Sequence, residues 1–257
     1  MSMLQRTLVA LALTCTATFA ACEGATALIA RVKPSVVLVG SYGLLDSPRF
    51  GFSGTGFVVS DGRHVVTNVH VLPPVQPGRV DRSIAIQSWN ADSGWRVQEA
   101  RIERTDALHD LALLLIEGPP LPALKLSQSD APEGADILIM GFPLGGALGY
   151  AHVTHRGMVA ARTAIAPQAM TSQSLQPRAL KQLRQGSFEV LQLDATAYPG
   201  NSGGPVLDLA SGEVVGVLNM VLVKGTREAA LSAPSGISYA VKASDVAALM
   251  AGRAALD

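Results

Sequence analysis

The 257-residue chain has only two cysteines, Cys15 and Cys22, and both fall in its first 22 residues. Whatever domain follows carries no thiol, so an internal disulfide is excluded and stability has to come from packing. Charge of one sign is also lacking, because 20 basic residues face 20 acidic ones. Removing residues 1–21 takes away only Arg6 and leaves 19 basic against 20 acidic. That balance gives no reason to expect nucleic acid or a membrane surface as a partner. His64, His152 and His155 have no cysteine or carboxylate partners at ligand spacing, so neither metal nor cofactor is expected.

Residues 1–22 read as an export signal. Arg6 supplies positive charge, Thr7–Thr14 a short apolar core, and Ala17–Ala21 a small-residue exit. The apolar core is too short to span a bilayer. Phe19-Ala-Ala-Cys22 resembles a bacterial lipobox, with Phe19 where leucine is usual. Two mature ends therefore stay open: lipidation of Cys22, or plain cleavage near Ala20 or Ala21. The protein is expected outside the cytoplasm, in a bacterial periplasm or anchored as a lipoprotein, with membrane contact only through Cys22.

About 235 residues remain, in a chain that is 48% hydrophobic, enough for a full core. Glu23–Lys33 has Ala27, Leu28 and Val32 at helical spacing before Pro34. Short Val- and Ile-rich runs follow between turn residues: Ser35–Ser41, Gly56–Ser60, His64–Asn68, Ile84–Trp89, Trp95–Arg104 and Leu111–Ile116. Gly118-Pro-Pro-Leu-Pro122 interrupts them, and the style resumes with Ile137–Met140, His152–Ala164, Phe188–Ala195, Pro205–Leu209, Val214–Val223 and Ile237–Lys242. This is an all-β, barrel-type pattern with no strand–helix alternation. Ser244 as N-cap opens a closing helix with Val246, Leu249 and Met250 on one face.

Asp194–Asp208 concentrates the chemistry. Ser202 lies in Pro199-Gly-Asn-Ser-Gly-Gly-Pro205, where glycines reach backbone angles closed to other residues and prolines stiffen the flanks. Such a turn exposes a hydroxyl and can aim the Gly200 and Ser202 amides at one point. A glycine-rich hairpin whose serine caps a turn is the plainer alternative. Two further segments bear on the choice. Thr67-Asn-Val-His70 ends a β-rich run on histidine, and His109-Asp-Leu-Ala-Leu-Leu114 sets Asp110 at the head of an apolar strand. The order is His, Asp, Ser, with separations of 40 and 92 residues.

These three segments resemble the signatures of chymotrypsin-fold (trypsin-like) serine peptidases, nearest the HtrA (Deg) branch, over about Ala27 to Val246. The resemblance implies two six-stranded antiparallel β-barrels, about 34–117 and 123–243, with a C-terminal helix at 244–255, all in a peptidase domain at 23–257. It implies His70 as general base and acid, Asp110 as its orienting partner and Ser202 as nucleophile. Gly200, Asn201 and Ser202 would form the oxyanion hole. Thr196, Gly236, Ser238 and Ala240 would line the specificity pocket. With no acidic residue at those positions, cleavage after small or medium apolar residues is expected. His109, adjacent to Asp110 on a presumed strand, is assigned a surface or packing role.

The resemblance implies hydrolysis of peptide bonds through an acyl-enzyme, with unfolded or mislocalised polypeptides of a cell envelope as substrates, and an oligomer is allowed. Thr163–Ser187 is longer than the corresponding family loop and carries a candidate helix at Pro177–Gln185. Leu72–Gly78 is a proline-rich loop placed to rim the site. Most Deg-type proteins continue into PDZ domains, whereas this chain ends 15 residues after Lys242. A catalytically silent binding or chaperone module remains the alternative function. An α/β-hydrolase esterase fails on order, because that fold expects its serine first, in G-x-S-x-G.

Overall fold

Val36-Val-Leu-Val39, Leu111-Ala-Leu-Leu-Leu-Ile116 and Ile137-Leu-Ile-Met140 are apolar at every position, which a strand with one wet face cannot be. The reason is that alternate side chains enter two different cores. The structure, a computed structural model, describes residues 24–74, 82–145, 149–165, 188–219 and 236–252. In β1 (Val36–Gly43), Val37 and Val39 enter the core of the first barrel, while Val36 and Leu38 face a cluster shared with the second. The same split divides Leu114 and Ile116 from Leu111 and Leu113 in β6 (Leu111–Ile116). It also divides Ile137 and Ile139 from Leu138 and Met140 in β7 (Asp136–Gly141).

Barrel 1 is completed by β2 (Phe50–Val59), β3 (His64–Asn68), β4 (Arg82–Asn90) and β5 (Gly94–Asp106). Barrel 2 adds β8 (Val153–Ile165), β9 (Phe188–Asp194), β10 (Pro205–Asp208), β11 (Val214–Leu218) and β12 (Ile237–Lys242). Each closes, in the ring orders β1-β2-β3-β6-β5-β4 and β7-β8-β9-β12-β11-β10, so the second repeats the topology of the first. All described strand pairs are antiparallel. The connection between barrels touches both, with Leu124 bridging to Val59 and Leu126 to Val214.

Among the described residues, two helices cover the junction. α1 (Ala25–Val32) buries Leu28 and Val32 in the shared cluster, and α2 (Ala243–Met250) buries Val246 and Leu249 there. Arg104 of β5 donates to the Leu249 and Met250 carbonyls at 3.2 and 2.6 Å, placing a cation at the negative end of α2. Three sequence expectations need correction here. Lys242 is the N-cap of α2, while Ser244 lies inside the helix and bonds Asp130 Oδ1 at 3.3 Å. The helix stops at Met250, ahead of 255, because Gly252 takes a left-handed φ of 71°. β11 ends at Leu218, short of the expected Val223. The leader with Cys15 and Cys22, the helix at 177–185 and loop residues 75–78 lie outside the described residues.

His109 joins α2 to barrel 1, and a turn rather than a strand holds it, so strand alternation does not decide where its side chain points. Its Nδ1 lies 2.6 Å from Asp106 Oδ2, and its Nε2 4.0 Å from Asp245 Oδ1 in α2. Burial disfavours charge on His109, and Lys242 opposes it further. The Asp106 hydrogen bond, with the charges of Asp106 and Asp245, outweighs both, and the pKa is raised. A histidine more basic in the fold than in the unfolded chain stabilises the fold below its unfolded pKa of about 6.5, and that stabilisation fades as pH rises through the folded value. We therefore expect the melting-temperature gap between wild type and His109→Gln to be widest near pH 6 and to narrow toward about pH 8. A gap that ignores pH in calorimetric melts contradicts this.

Candidate active site

β3 and β6 pair with Asn68 opposite Leu111, so the chain leaving β3 and the chain entering β6 emerge at one end of barrel 1. His70 follows in a single 3-10 turn, Val69–Val71, and Asp110 immediately precedes Leu111. Asp110 adopts a left-handed φ of 56°, a conformation that aspartate tolerates better than most residues. Its carbonyl accepts from the Val69 amide at 3.1 Å and from Asn68 Nδ2 at 3.0 Å, which holds the turn in place. The carboxylate is thereby aimed at His70. Oδ1 accepts from the His70 backbone amide at 3.0 Å, and Oδ2 lies 2.5 Å from His70 Nδ1. A carboxylate only accepts, so Nδ1 is the donor, and in the neutral ring that tautomer leaves Nε2 with its lone pair.

Asn219 completes this group, and sequence reasoning missed it. Its Nδ2 donates to Asp110 Oδ2 at 3.0 Å from the end of β11, across the barrel junction. The run Val214–Leu218 was read as continuing through Asn219 in one strand. No local signal marks it, since apolar residues stand on both sides of Asn219 in the sequence, and Asn219 is buried.

Ser202 arrives from barrel 2, three residues before β10. The Gly203 amide donates to Leu218 O and the Leu218 amide to Gly204 O, both at 2.9 Å, so Ser202 and Asn219 leave barrel 2 side by side. Gly54 of β2 lies between the two halves: a Cβ there would press on both Val71, next to His70, and the Ser202 carbonyl. His70 and Asp110 are thus joined directly. Ser202 is brought to them through backbone contacts, and no hydrogen bond from its hydroxyl to His70 is present in this conformation.

The turn around Ser202 is held by its carbonyls. Pro199 O accepts from the Leu144 amide at 2.7 Å, and Asn201 O from the Gly204 amide at 2.9 Å. In a trans peptide the N–H points opposite to the C=O, so fixing these oxygens orients the Gly200 and Ser202 amides. Among the described residues, neither amide donates to a backbone carbonyl. Gly200 has φ 103°, and a Cβ on it would collide with the Phe142 carbonyl, so no other residue fits. Asn201 is fully buried, with no hydrogen-bond partner for its side chain among the described residues.

Of the expected pocket residues, Ser238 donates its hydroxyl to Ala195 O at 2.7 Å, and Gly236 O accepts from the Ala195 amide at 2.9 Å. These bonds bring the segments 195–197 and 236–238 together. Thr196 is half-buried, whereas Ala240 is fully buried in the core of barrel 2 with Leu191 and Leu218. Among the described residues, no three His, Cys, Asp or Glu side chains gather as a metal site requires.

Curated serine endoproteases are similar to this chain in sequence. A probable periplasmic serine endoprotease DegP-like protein of Pseudomonas fulva is 30% identical over 193 residues, 75% of this chain and 34% of its own length. Its counterpart in Ectopseudomonas mendocina is 31% identical over 172 residues, 66% of this chain and 30% of the other. The chain thus spans about a third of the length of these curated relatives. The Rv3671c protease of M. tuberculosis, in its active form, superposes with a TM-score of 0.62 at 24% identity, covering 90% of this chain and 85% of that one. At that identity the likeness concerns the fold. The profile of the trypsin-like peptidase domain matches residues 54–217, which enclose His70, Asp110 and Ser202 and make up more than half the chain. The chain therefore belongs to the trypsin-like peptidase domain family.

Proposed function

We propose that the protein is a serine endopeptidase that hydrolyses peptide bonds through an acyl-enzyme, with unfolded or mislocalised envelope polypeptides as its substrates. The observation carrying this reading is the His70–Asp110 contact at the barrel junction, beside a serine turn whose two flanking amides have no backbone acceptor. A serine hydroxyl attacks a carbonyl poorly unless a base takes its proton as the bond forms. His70 Nε2 is the base, because Asp110 holds the other ring nitrogen as donor and then stabilises the imidazolium. The negative charge that develops on the carbonyl oxygen is met by the Gly200 and Ser202 amides. His70 next returns its proton to the leaving amine, and water repeats the sequence to free the acyl group from Ser202. Asn219 holds Asp110 from the far side, which opposes rotation of the carboxylate away from His70.

Paired apolar and small residues at 195–197 and 236–238, with no acidic side chain among them, support cleavage after small or medium apolar residues. The DegP-like relatives carry "periplasmic" in their names, which agrees with an exported chain. Two treatments test the central reading. With an unfolded casein substrate and a fluorophosphonate probe, wild type is labelled and cleaves casein, while Ser202→Ala is unlabelled and about 10⁴–10⁶ slower. Two unlabelled proteins that still bind casein point instead to a silent scaffold. In a peptide-library digest, cuts fall after Ala, Val, Leu or similar residues, and strict cleavage after Arg or Lys contradicts the pocket assignment. The mass of protein recovered from a bacterial envelope corresponds to a chain beginning at Ala21 or Cys22, and the added mass of acyl groups identifies an anchor. Retention of Met1 contradicts export.

A further inference from the structure

Thr55 lies in β2, on the opposite barrel from Ser202, and is fully buried. Each of its polar groups is engaged. The amide donates to Ser202 O at 2.9 Å, and the carbonyl accepts from the Thr67 hydroxyl at 2.7 Å. The hydroxyl donates to Gly200 O at 2.7 Å and accepts from the Phe142 amide at 3.1 Å. A hydroxyl has a single proton to give, and here it goes to the carbonyl of the oxyanion turn. The methyl group lies beside Gly204, which with the β-branch limits rotation of the side chain.

Both peptide planes that flank Gly200 trace back to this hydroxyl. The plane after Gly200 is held at one end by Thr55 Oγ1 on Gly200 O and at the other by the Asn201 amide on Tyr198 O, at 3.0 Å. The plane before it contains the Gly200 N–H and is held by the Leu144 amide on Pro199 O, at 2.7 Å. Leu144 belongs to the segment after β7, whose Phe142 amide Thr55 Oγ1 receives. Gly200, at φ 103°, has no intrinsic preference for this conformation over its mirror. Its orientation is imposed from outside.

We propose that Thr55 is a positioning residue through which barrel 1 sets the direction of the Gly200 amide toward the reacting carbonyl. The proposal rests on the reading of Ser202 as nucleophile and deepens it. Thr55 touches neither substrate nor reacting atoms; it acts through Gly200 and the Phe142–Leu144 segment.

Thr55→Val keeps the volume and the β-branch while removing the hydroxyl, and Thr55→Ser keeps the hydroxyl. Fluorophosphonate titration counts reactive sites, so rates are compared per labelled serine and not per mole of protein. Because removal of one oxyanion donor costs about 10²–10³ in kcat, partial misalignment of the Gly200 amide should cost Thr55→Val about 10–100-fold in kcat with KM little changed. Affinity for a peptide aldehyde, whose hemiacetal oxygen needs the same amides, falls by a similar factor, and Thr55→Ser restores both. A purely structural role would lower the labelled fraction and leave these per-site values alone. If Thr55→Val does not accumulate, Thr55→Cys, with its weak S–H donor, gives an intermediate kcat on the same scale. Wild-type kcat and aldehyde affinity per labelled site in Thr55→Val overturns the proposal and leaves the Ser202 reading standing. A wild-type protein that the probe does not label overturns both.

Discussion

The hydrogen bond from the Thr55 amide to the Ser202 carbonyl fastens one closed barrel to the Ser202 turn of another. The two barrels share no strand, and the described domain has no cysteine, so nothing covalent besides the chain connection fixes their spacing. A site divided between them needs its parts held to about 0.5 Å. That accuracy has to come from the junction. The junction is apolar at large, with Phe57, Leu111, Phe142 and Leu207 in one continuous cluster, and among the described residues hydrogen bonds cross it at the Ser202 turn, between Asn219 and Asp110, and between His152 and the Val36 carbonyl. Burial supplies adhesion without direction. Direction comes from the few buried hydrogen bonds around Thr55, Asn219 and Leu144, whose loss would leave buried groups unsatisfied.

The two barrels make unequal contributions. Barrel 1 supplies the proposed proton-handling pair from the ends of two neighbouring strands, whose register, Asn68 opposite Leu111, brings His70 and Asp110 to one end of the barrel. Barrel 2 supplies the proposed nucleophile and the proposed amide donors from one turn, Pro199–Gly204. The same strand-end logic places Asn219 beside it, through Leu218 and its bonds to Gly203 and Gly204. Asn219 then reaches back across the junction to Asp110, closing a circuit in which each side of the site orients the other. Asp110, in a left-handed conformation, is the point where this circuit and the β6 register meet.

Much of this was legible in residue order. His64–Asn68, Leu111–Ile116 and Ile237–Lys242 coincide with the expected strands because each is an apolar or β-branched run with sharp polar or turn-forming limits. β2 was read late, from Gly56, because Gly51, Ser53 and Gly54 look like a turn. Gly54 is small for a tertiary reason, since Val71 and the Ser202 carbonyl crowd its Cα. Asn219 and Thr55 were illegible for a related cause. Their partners lie 109 and 145 residues away, and no local pattern encodes which barrel faces which. Ser244 misled in the other direction: it is a good N-cap by type, but its hydroxyl is drawn to Asp130 and the helix starts earlier. His109 was placed by strand alternation in what is a turn, so its link through Asp245 to α2 went unseen.

The central claim is that the barrel junction holds the Gly200 and Ser202 amides toward an oxygen on the carbon that Ser202 attacks. A crystal structure of the protein with a peptide boronate tests it most directly. The account predicts a tetrahedral boron bonded to Ser202 Oγ, with one boronate oxygen about 2.7–3.1 Å from both amide nitrogens. It also predicts His70 Nε2 facing that adduct with the Asp110 contact intact. A boronate bound to Ser202 whose oxygens face only solvent or His70, with the Gly200 amide turned away, would contradict it.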